Sequence, residues 1–322
     1  MTNLSAIARA LGGEVQGRQV LAPGLGHSCR DRSLAIRLDP RAPGGLLVHS
    51  FAGDDPLVAK DHVRAMLGLR SGTLPRLPDT KAAQAEPPPY DAERTARAVA
   101  LWREARDPRG SVVERYLRRR GLNLPDEAAG EAIRFHPACP FAGEHTPAMV
   151  CLVRDVVTDK PKAIYRTALS GDGLKVKVRG ADRLSLGPIA GGAIKLTPDA
   201  DVTTCLGIAE GVETALSMRR VREFRASPVW SLISEAGVRR FPALSGIECL
   251  WLAVDHDPAG IKAARTVADR WQAAGAEAFL ITPFAPRAIT GARQSRVCKE
   301  AQFVGLRIRN TLRSLIPSCR AI

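Results

Sequence analysis

In the first two thirds of the chain, some stretches carry apolar residues at helical spacing and others at alternating positions. Residues 1–69 carry only short apolar runs between Gly, Pro and polar clusters. Farther on, apolar residues at helical spacing predict helices at 91–106 and 113–120, the second ending near Gly121. Alternating positions predict strands at 148–153, 162–168 and 192–196. This part is therefore expected to be of the α+β class.

The period changes near residue 200. Apolar runs then predict strands at 202–208, 229–233, 249–254 and 278–281, and helical patterns occupy 212–220 and 259–274. Strands that alternate with helices indicate right-handed crossovers. The last folded part is therefore predicted to be an α/β unit with a parallel sheet.

Proline supplies the other boundary. Pro75, Pro78 and the triplet Pro87 to Pro89 favour an extended linker. The predicted division is a small module at 1–69, a Pro-rich linker at 70–90, an α+β subdomain at 91–199, an α/β domain at 200–283 and a basic tail at 284–322, for which disorder is one expectation.

The chain carries a net charge of +14, from 47 basic and 33 acidic residues. Such an excess suggests a polyanionic partner, nucleic acid before an acidic membrane surface. The seven cysteines include no C-x-x-C pair, which favours reduced thiols and a cytoplasmic location. A signal peptide is not evident, and no run of 18 apolar residues predicts a membrane span.

Acidic residues follow two of the predicted strands. Glu210 comes directly after the first strand, and Asp255 and Asp257 come after the third. The carboxyl ends of parallel strands share one edge of a sheet, so we expect these carboxylates to meet there. Clustered carboxylates suit Mg²⁺, with Mn²⁺ as an alternative. Either cluster alone is more often a helix cap, but together they predict a metal site.

Neighbouring residues have predicted supporting roles. Gly211 and Gly260 are expected to let the backbone turn tightly into the following helices. His256, between the two aspartates, is expected to point away from the metal, and His136 to be a packed structural residue.

Two competing motifs fail. The segment from Asp255 to Gly260 begins like an EF-hand loop, but Thr266 stands where the bidentate Glu belongs. The segment from Gly187 to Gly192 is similar to a P-loop, but Ala193 follows where Lys is required. The sequence therefore does not support an ATPase or helicase motor.

The acidic motifs resemble those of the Toprim superfamily, which DnaG-type bacterial primases, topoisomerases and some nucleases share. The family pattern is Glu-Gly after one strand, here Glu210-Gly211, and D-x-D after a later strand, here Asp255-His-Asp257. Stretches at 116–122, 133–136 and 147–155 resemble the part of primases that precedes Toprim, and those at 164–169 and 185–196 resemble primase-like proteins of phages, plasmids and integrated elements. The resemblance covers 91–282. It implies a Toprim domain with a parallel four-stranded sheet flanked by helices, preceded by an α+β primase-core subdomain.

The resemblance also implies roles. Asp255 and Asp257 would bind Mg²⁺ and a nucleoside triphosphate, and Glu210 would complete the site or act as a base near the attacking hydroxyl. Glu213 would be a supporting or structural residue. Basic side chains would line the approach for template or triphosphate, with a solvated surface as the alternative: Arg166, Lys175, Lys177, Arg179 and Lys195.

Two departures from the family pattern stand out. Primases of this type begin with a zinc ribbon, but here Gly24, Ser50 and Gly53 replace the expected cysteines, and His27 alone cannot hold zinc. A degenerate, zinc-free ribbon-like module is expected, although Cys29, His49 and His62 offer an alternative ligand set. The tail after Pro283 is basic instead of acidic. It is either a nucleic-acid-binding arm or, as we favour, a segment foreign to the domain, as after a reading-frame change.

Three functions stay open from the sequence. The first and favoured one is primase-like RNA primer synthesis on single-stranded DNA in mobile-element replication, with nucleoside triphosphates as substrates and a separately encoded replicative helicase as a partner. The second is a Toprim nuclease that uses the same acids to activate water. The third is a catalytically weak nucleic-acid-binding module.

Overall fold

The computed structural model describes residues 3–69, 89–221, 224, 227–254, 258–283 and 303–306. The predicted linker, except for its last two residues, and most of the basic tail lie outside these residues. The helices are α1 (Leu4–Leu11), α2 (Pro56–Met66), α3 (Pro89–Glu104), α4 (Val112–Arg119), α5 (Val212–Met218), α6 (Glu235–Arg240) and α7 (Pro258–Ala273).

The described residues form fourteen strands, of which seven were predicted, with shifted ends. They are β1 (Glu14–Gln16), β2 (Gln19–Ala22), β3 (Leu34–Leu38), β4 (Leu46–Ser50), β5 (Ile133–Phe141), β6 (Glu144–Asp155), β7 (Pro161–Ala168), β8 (Arg183–Leu186), β9 (Gly192–Lys195), β10 (Cys205–Ala209), β11 (Val229–Ser231), β12 (Cys249–Ala253), β13 (Glu277–Pro283) and β14 (Phe303–Leu306).

The N-terminal module is a small antiparallel sheet, β1-β2-β3-β4, covered by α1 and α2. Asn3 caps α1 by accepting a hydrogen bond from the Ala6 amide, and Gly12 ends the helix in the left-handed conformation at φ 62°. Ile7, Ile36 and Val63 are fully buried between the layers. The module thus has a hydrophobic core of its own.

The remaining strands form one large sheet. In the described part of the chain it has ten strands in the order β14-β13-β12-β10-β11-β9-β6-β7-β8, with β5 paired to β6. β13, β12, β10 and β11 are parallel, as predicted. However, β9 pairs antiparallel with β11, and β14 antiparallel with β13. The four predicted parallel strands are thus confirmed, but they do not form a sheet of their own: both edges of the parallel unit pair with further strands, and the whole sheet is mixed.

Alternate residues of the strands send their side chains to opposite faces of this sheet. Met149, Cys151 and Val153 of β6 pack in the same hydrophobic cluster as α4 and α5. Ala148, Val150 and Leu152 pack with α3 on the other face. The predicted boundary at residue 200 falls between β9 and β10, so one continuous sheet crosses it.

Lys60 of α2 joins the N-terminal module to the large sheet. Its side chain is only 5% exposed, and its ammonium group donates to the carbonyl oxygens of Pro43 at 3.2 Å, Asp199 at 3.1 Å and Val202 at 2.6 Å. Burial lowers the pKa of Lys60 to about 8, against the opposing effect of the Asp199 charge. The ammonium therefore stabilises the junction by hydrogen bonding while its charge is costly to bury.

We expect Lys60→Met to lower the melting temperature at neutral pH, because three carbonyls lose their donor at a cost of about 1–3 kcal/mol each.

The folded chain releases the Lys60 proton at about pH 8 and the unfolded chain near the ordinary pKa of 10.5. The stability of the wild type relative to this variant should therefore rise across that interval. Calorimetry between about pH 7 and 10 measures this difference; a difference that falls with pH would contradict the assignment. Lys177→Met, at an exposed lysine, is the control.

Candidate active site

The candidate site begins where β10 and β12 end. These two strands are parallel neighbours, and Ala209 pairs with Ala253 at their carboxyl ends. Glu210 directly follows the first of these residues. Asp255 follows the second by two positions. The predicted neighbourhood of the two strands is confirmed, and both strands end at the same edge of the sheet.

The three residues Asp255, His256 and Asp257 lie outside the described residues. The roles of Asp255 and Asp257 as metal ligands, and the orientation of His256 away from the metal, therefore stay predictions. Glu210 is described and partly exposed. Its partly exposed position at the strand end is compatible with the predicted role as a metal-ligating residue.

The segment after β11 holds the backbone of Glu210. The Glu210 carbonyl accepts hydrogen bonds from the Ser231 hydroxyl and the Ile233 amide, both at 2.8 Å. Ile233 has φ 73°, which is a rare conformation for a β-branched residue. Such a conformation costs of order 1–3 kcal/mol and is found most often at functional sites. Sequence reasoning missed this feature because it extended the strand to residue 233.

The glycines of the acidic motifs do not make the tight turns that were predicted. Gly211 precedes α5 with φ −94° and ψ 154°, a conformation open to any residue. A Cβ at this position would meet Thr214 Oγ1 at an ordinary 3.6 Å. Gly260 lies inside α7. The prediction of tight turns is therefore wrong at both places, because Gly211 has extended backbone and Gly260 is a helical residue.

Glu213 connects three elements. Its side chain is 6% exposed, accepts a hydrogen bond from the Tyr116 hydroxyl at 2.5 Å and forms an ion pair with Arg183 at 2.9 Å. Burial raises the pKa of Glu213, but the Arg183 charge and the Tyr116 hydrogen bond together bring it below its ordinary value. This carboxylate therefore stays charged and ties α5 to α4 and β8, which supports the interpretation as a structural residue.

Two of the predicted nucleic-acid contacts are buried. Arg166 donates to the carbonyl oxygens of Pro140 at 2.5 Å and Ser185 at 3.3 Å. Lys195 pairs with Asp199 at 2.6 Å and Asp159 at 3.0 Å. These contacts hold the fold together, and neither side chain is available at the surface.

The other three predicted contacts are exposed. Lys175 pairs with Asp182 at 3.1 Å and Arg179 with Glu144 at 3.0 Å. Lys177 lies between them along the chain and is exposed as well. These positions remain compatible with the predicted approach for nucleic acid.

A basic surface on α4 was missed as a binding candidate. Val112, Val113, Tyr116 and Leu117 are buried. The opposite side and the end of the helix expose what we call the α4 basic face: Arg115, Arg118, Arg119 and Arg120. Because Tyr116 reaches Glu213, this face lies on the side of the sheet from which α5 and Glu210 start. The run of arginines was visible in the sequence, but its helical phase relative to the site was not.

Two of the positions that resemble zinc ligands, His27 and Ser50, contact aspartates in the N-terminal module. Nδ1 of His27 lies 2.9 Å from Asp31 Oδ2, and Nε2 lies 3.7 Å from Asp54 Oδ1. Ser50 donates to Asp54 at 2.7 Å. Within the described residues, which leave out Asp255 and Asp257, no group of three or more His, Cys, Asp or Glu side chains is arranged to hold a metal ion. The His27 imidazole thus lies between two carboxylates, one from its own loop and one from the segment after β4.

Two family models match the chain. Residues 205–295 match the model described as a Toprim domain, and residues 92–196 match a domain of unknown function, DUF7146. The resemblance to the Toprim superfamily is therefore confirmed for the C-terminal part, which contains Glu210, Asp255 and Asp257. A search of curated proteins finds no match.

Several solved primase structures are similar to the chain. The Aquifex aeolicus primase, with zinc-binding and RNA polymerase domains, is 11% identical at a TM-score of 0.38, over 88% of this chain and 77% of that one. A DNA primase domain from Pseudomonas aeruginosa is 13% identical at a TM-score of 0.38, over 61% and 72%. A DnaG primase catalytic domain bound to ssDNA is 14% identical at a TM-score of 0.39, over 62% and 73%. At these values the likeness adds nothing to the assignment of a function.

No helix in the described part of the chain combines the length and the apolar character that crossing a membrane requires.

Glu213→Gln should strongly destabilise the folded chain. The substitution leaves the half-buried Arg183 guanidinium without its carboxylate, so the cost should be below the about 3–5 kcal/mol that breaking a fully buried pair costs. The matched control is Glu235→Gln, which breaks a more exposed pair with Arg239 at 3.6 Å and should cost about 0–1 kcal/mol. Urea unfolding measures both. Equal effects of the two substitutions would show that Glu213 has no special structural role.

Proposed function

We propose that this chain is a Mg²⁺-dependent, primase-like nucleotidyltransferase that synthesises RNA primers on single-stranded DNA. One observation supports the proposal most: Ala209 pairs with Ala253, so that β10 and β12 end at one edge of the sheet, and the sequence continues into Glu210 after the first strand and, after Val254, into Asp255 after the second. All three proposed acids fall in the part of the chain that matches a Toprim domain. The likeness of 116–122, 133–136 and 147–155 to primases favours primer synthesis over cleavage.

The donor set fits a hard divalent cation. Glu210, Asp255 and Asp257 offer carboxylate oxygens, which Mg²⁺ prefers, and leave room for water and phosphate oxygens. When bound, the ion would neutralise negative charge on the triphosphate. Mn²⁺ would satisfy the same donors. Glu210 is partly exposed at the strand end, so its carboxylate is also a candidate acceptor for the proton of an attacking hydroxyl.

The α4 basic face supplies a path for the nucleic-acid backbone. A Cβ at Gly173 would meet the Tyr116 nitrogen and the Val112 oxygen at 3.1 Å, so the loop that contains Gly173 packs directly on α4. Arg115 donates to the Gly171 carbonyl of the same loop at 3.1 Å. The exposed Lys175 and Lys177 follow this loop and extend the positive surface. Phosphate binding by such a surface does not depend on sequence.

The biological setting belongs to the proposal as well. Action in the cytoplasm on a mobile element, beside a separately encoded replicative helicase, rests only on the likeness of 164–169 and 185–196 to phage and plasmid proteins. Single-stranded template and nucleoside triphosphates follow from the proposed reaction itself.

The purified chain, with single-stranded DNA, Mg²⁺ and labelled ribonucleotides, should produce short RNA oligomers. Asp255→Asn, Asp257→Asn and Glu210→Gln should each reduce synthesis by at least about 100-fold. Each variant would hold Mg²⁺ less tightly, and the ion is what compensates the negative charge of the transferred phosphoryl group. Gel electrophoresis of the products measures the yield. The matched control is Glu277→Gln, an exposed acid at the opposite end of the neighbouring strand β13, which should leave synthesis unchanged.

The same reaction mixture distinguishes the other functions. Shortened DNA without new RNA would indicate a nuclease, and bound but unchanged DNA would indicate a binding module. Full synthesis by Asp255→Asn would remove the basis for the proposed site. Mg²⁺ binding by isothermal titration, weakened in the same three variants, separates loss of the ion from loss of a later step.

Arg115→Ala and Arg119→Ala should weaken binding of single-stranded DNA. Each lost phosphate contact should reduce the slope of log K against log salt by about 0.7. Fluorescence anisotropy over a salt series measures the slope. Arg97→Ala is the control, because Arg97 is exposed on α3, which packs on the opposite face of the sheet. An equal loss with Arg97→Ala would assign the effect to net charge and not to the α4 basic face.

A further inference from the structure

Two cysteines face each other at the amino ends of the strands that carry the candidate acids. Cys205 begins β10 and Cys249 begins β12, and the two residues are direct partners in the parallel register. The Cys249 amide donates to the Thr204 carbonyl at 3.0 Å, which fixes the start of this pairing. The acids Glu210 and Asp255 follow the other ends of the same two strands. The cysteine pair is therefore separate from the candidate active site.

The spacing of the pair suits a disulfide. Adjacent strands lie about 4.7–4.9 Å apart, and disulfides join residues whose Cα atoms are about 4.4–6.8 Å apart. Neither residue is in a disulfide, and the two thiols are close enough for a hydrogen bond to each other. Bond formation therefore requires side-chain rotation and little movement of the backbone.

The environment of the pair also favours reaction. Cys205 and Cys249 are both partly exposed, whereas Cys139 and Cys151 are buried in the hydrophobic core. Contact with the Cys249 thiol lowers the pKa of Cys205, burial opposes this, and the Ser227 hydroxyl adds to the lowering. For Cys151, burial raises the pKa. Since the thiolate is the reactive form, Cys205 is the better nucleophile of these residues.

We propose that Cys205 and Cys249 form a reversible disulfide that responds to the thiol redox state of the surroundings. The oxidant is a low-molecular-weight disulfide such as oxidised glutathione. The Cys205 thiolate attacks one of its sulfur atoms, and a mixed disulfide forms as the first glutathione thiolate leaves. The Cys249 thiolate then attacks the Cys205 sulfur and releases the second glutathione thiolate. Two electrons pass to the oxidant, and the two protein protons end on the released thiols.

The bond would join the two central parallel strands covalently. It would restrict the unfolded chain between Cys205 and Cys249 and so stabilise the folded state. The strand ends at the candidate acids would keep their register. This inference does not depend on the proposed function, and its test uses no measurement of activity.

The test equilibrates the full-length chain in buffers of reduced and oxidised glutathione, blocks the remaining thiols by alkylation, and identifies cross-linked peptides by mass spectrometry. We expect Cys205 and Cys249 to become protected together, with one cross-linked peptide pair whose mass is lower by two hydrogen atoms. Cys205→Ser and Cys249→Ser should each abolish the cross-link. Cys29→Ser, at an exposed cysteine, should leave it intact.

A second measurement compares the oxidised and reduced forms of one and the same chain, so that a folding defect in a variant does not affect the result. The oxidised wild type should melt a few degrees above the reduced wild type, whereas the oxidised and reduced forms of Cys249→Ser should melt alike. Independent alkylation of the two thiols in oxidising buffer would overturn the proposal. So would a stable glutathione adduct on either cysteine without the cross-link, or pairing with Cys298 or Cys319.

Discussion

The in-register pairing of β10 with β12 is the constraint on which the candidate site depends. Two short strands of five residues each run parallel from Cys205 and Cys249 to Ala209 and Ala253. A shift of one residue would turn every side chain to the opposite face and separate the two acidic segments along the strand direction. The hydrophobic residues of both faces fix this register, because each strand is covered by helices on both sides.

Buried polar contacts then hold the surrounding elements to this pair of strands. The Glu213 carboxylate, with Tyr116 and Arg183, ties α5 to the upstream subdomain, and the Lys60 ammonium ties the N-terminal module to the carbonyls of Asp199 and Val202. Both groups would be costly to bury without partners. Each therefore favours one relative placement of the elements over other packings of similar apolar area.

The proposed function assigns a role to three features: the acids, the α4 basic face and the strained turn at Ile233. Carboxylates at a strand edge can hold a cation and a triphosphate, and an adjacent basic surface can hold a polyanionic strand. The turn at Ile233 fixes the Glu210 backbone through its amide. Such a combination of acids and basic surface would serve the proposed nucleotide polymerisation.

The sequence alone predicted most of the elements and the chemistry of the acids. Residue type and strand-end position were enough to single out Glu210, Asp255 and Asp257, because carboxyl ends of parallel strands share one edge. The alternating strand and helix pattern was enough to predict four parallel strands, which the fold confirms. Local properties of a few residues decide such features.

Only the tertiary structure decided which charged side chains hold the fold and which face solvent. Arg166 and Lys195 look like surface cations in the sequence, yet they are buried against carbonyl and carboxylate oxygens contributed by distant residues. The helical phase of the α4 arginines, the pairing of β9 with β11 and the contact of Cys205 with Cys249 likewise depend on partners far along the chain. No local pattern encodes such partners, since the same residue types occur on solvated faces, and packing alone selects among them.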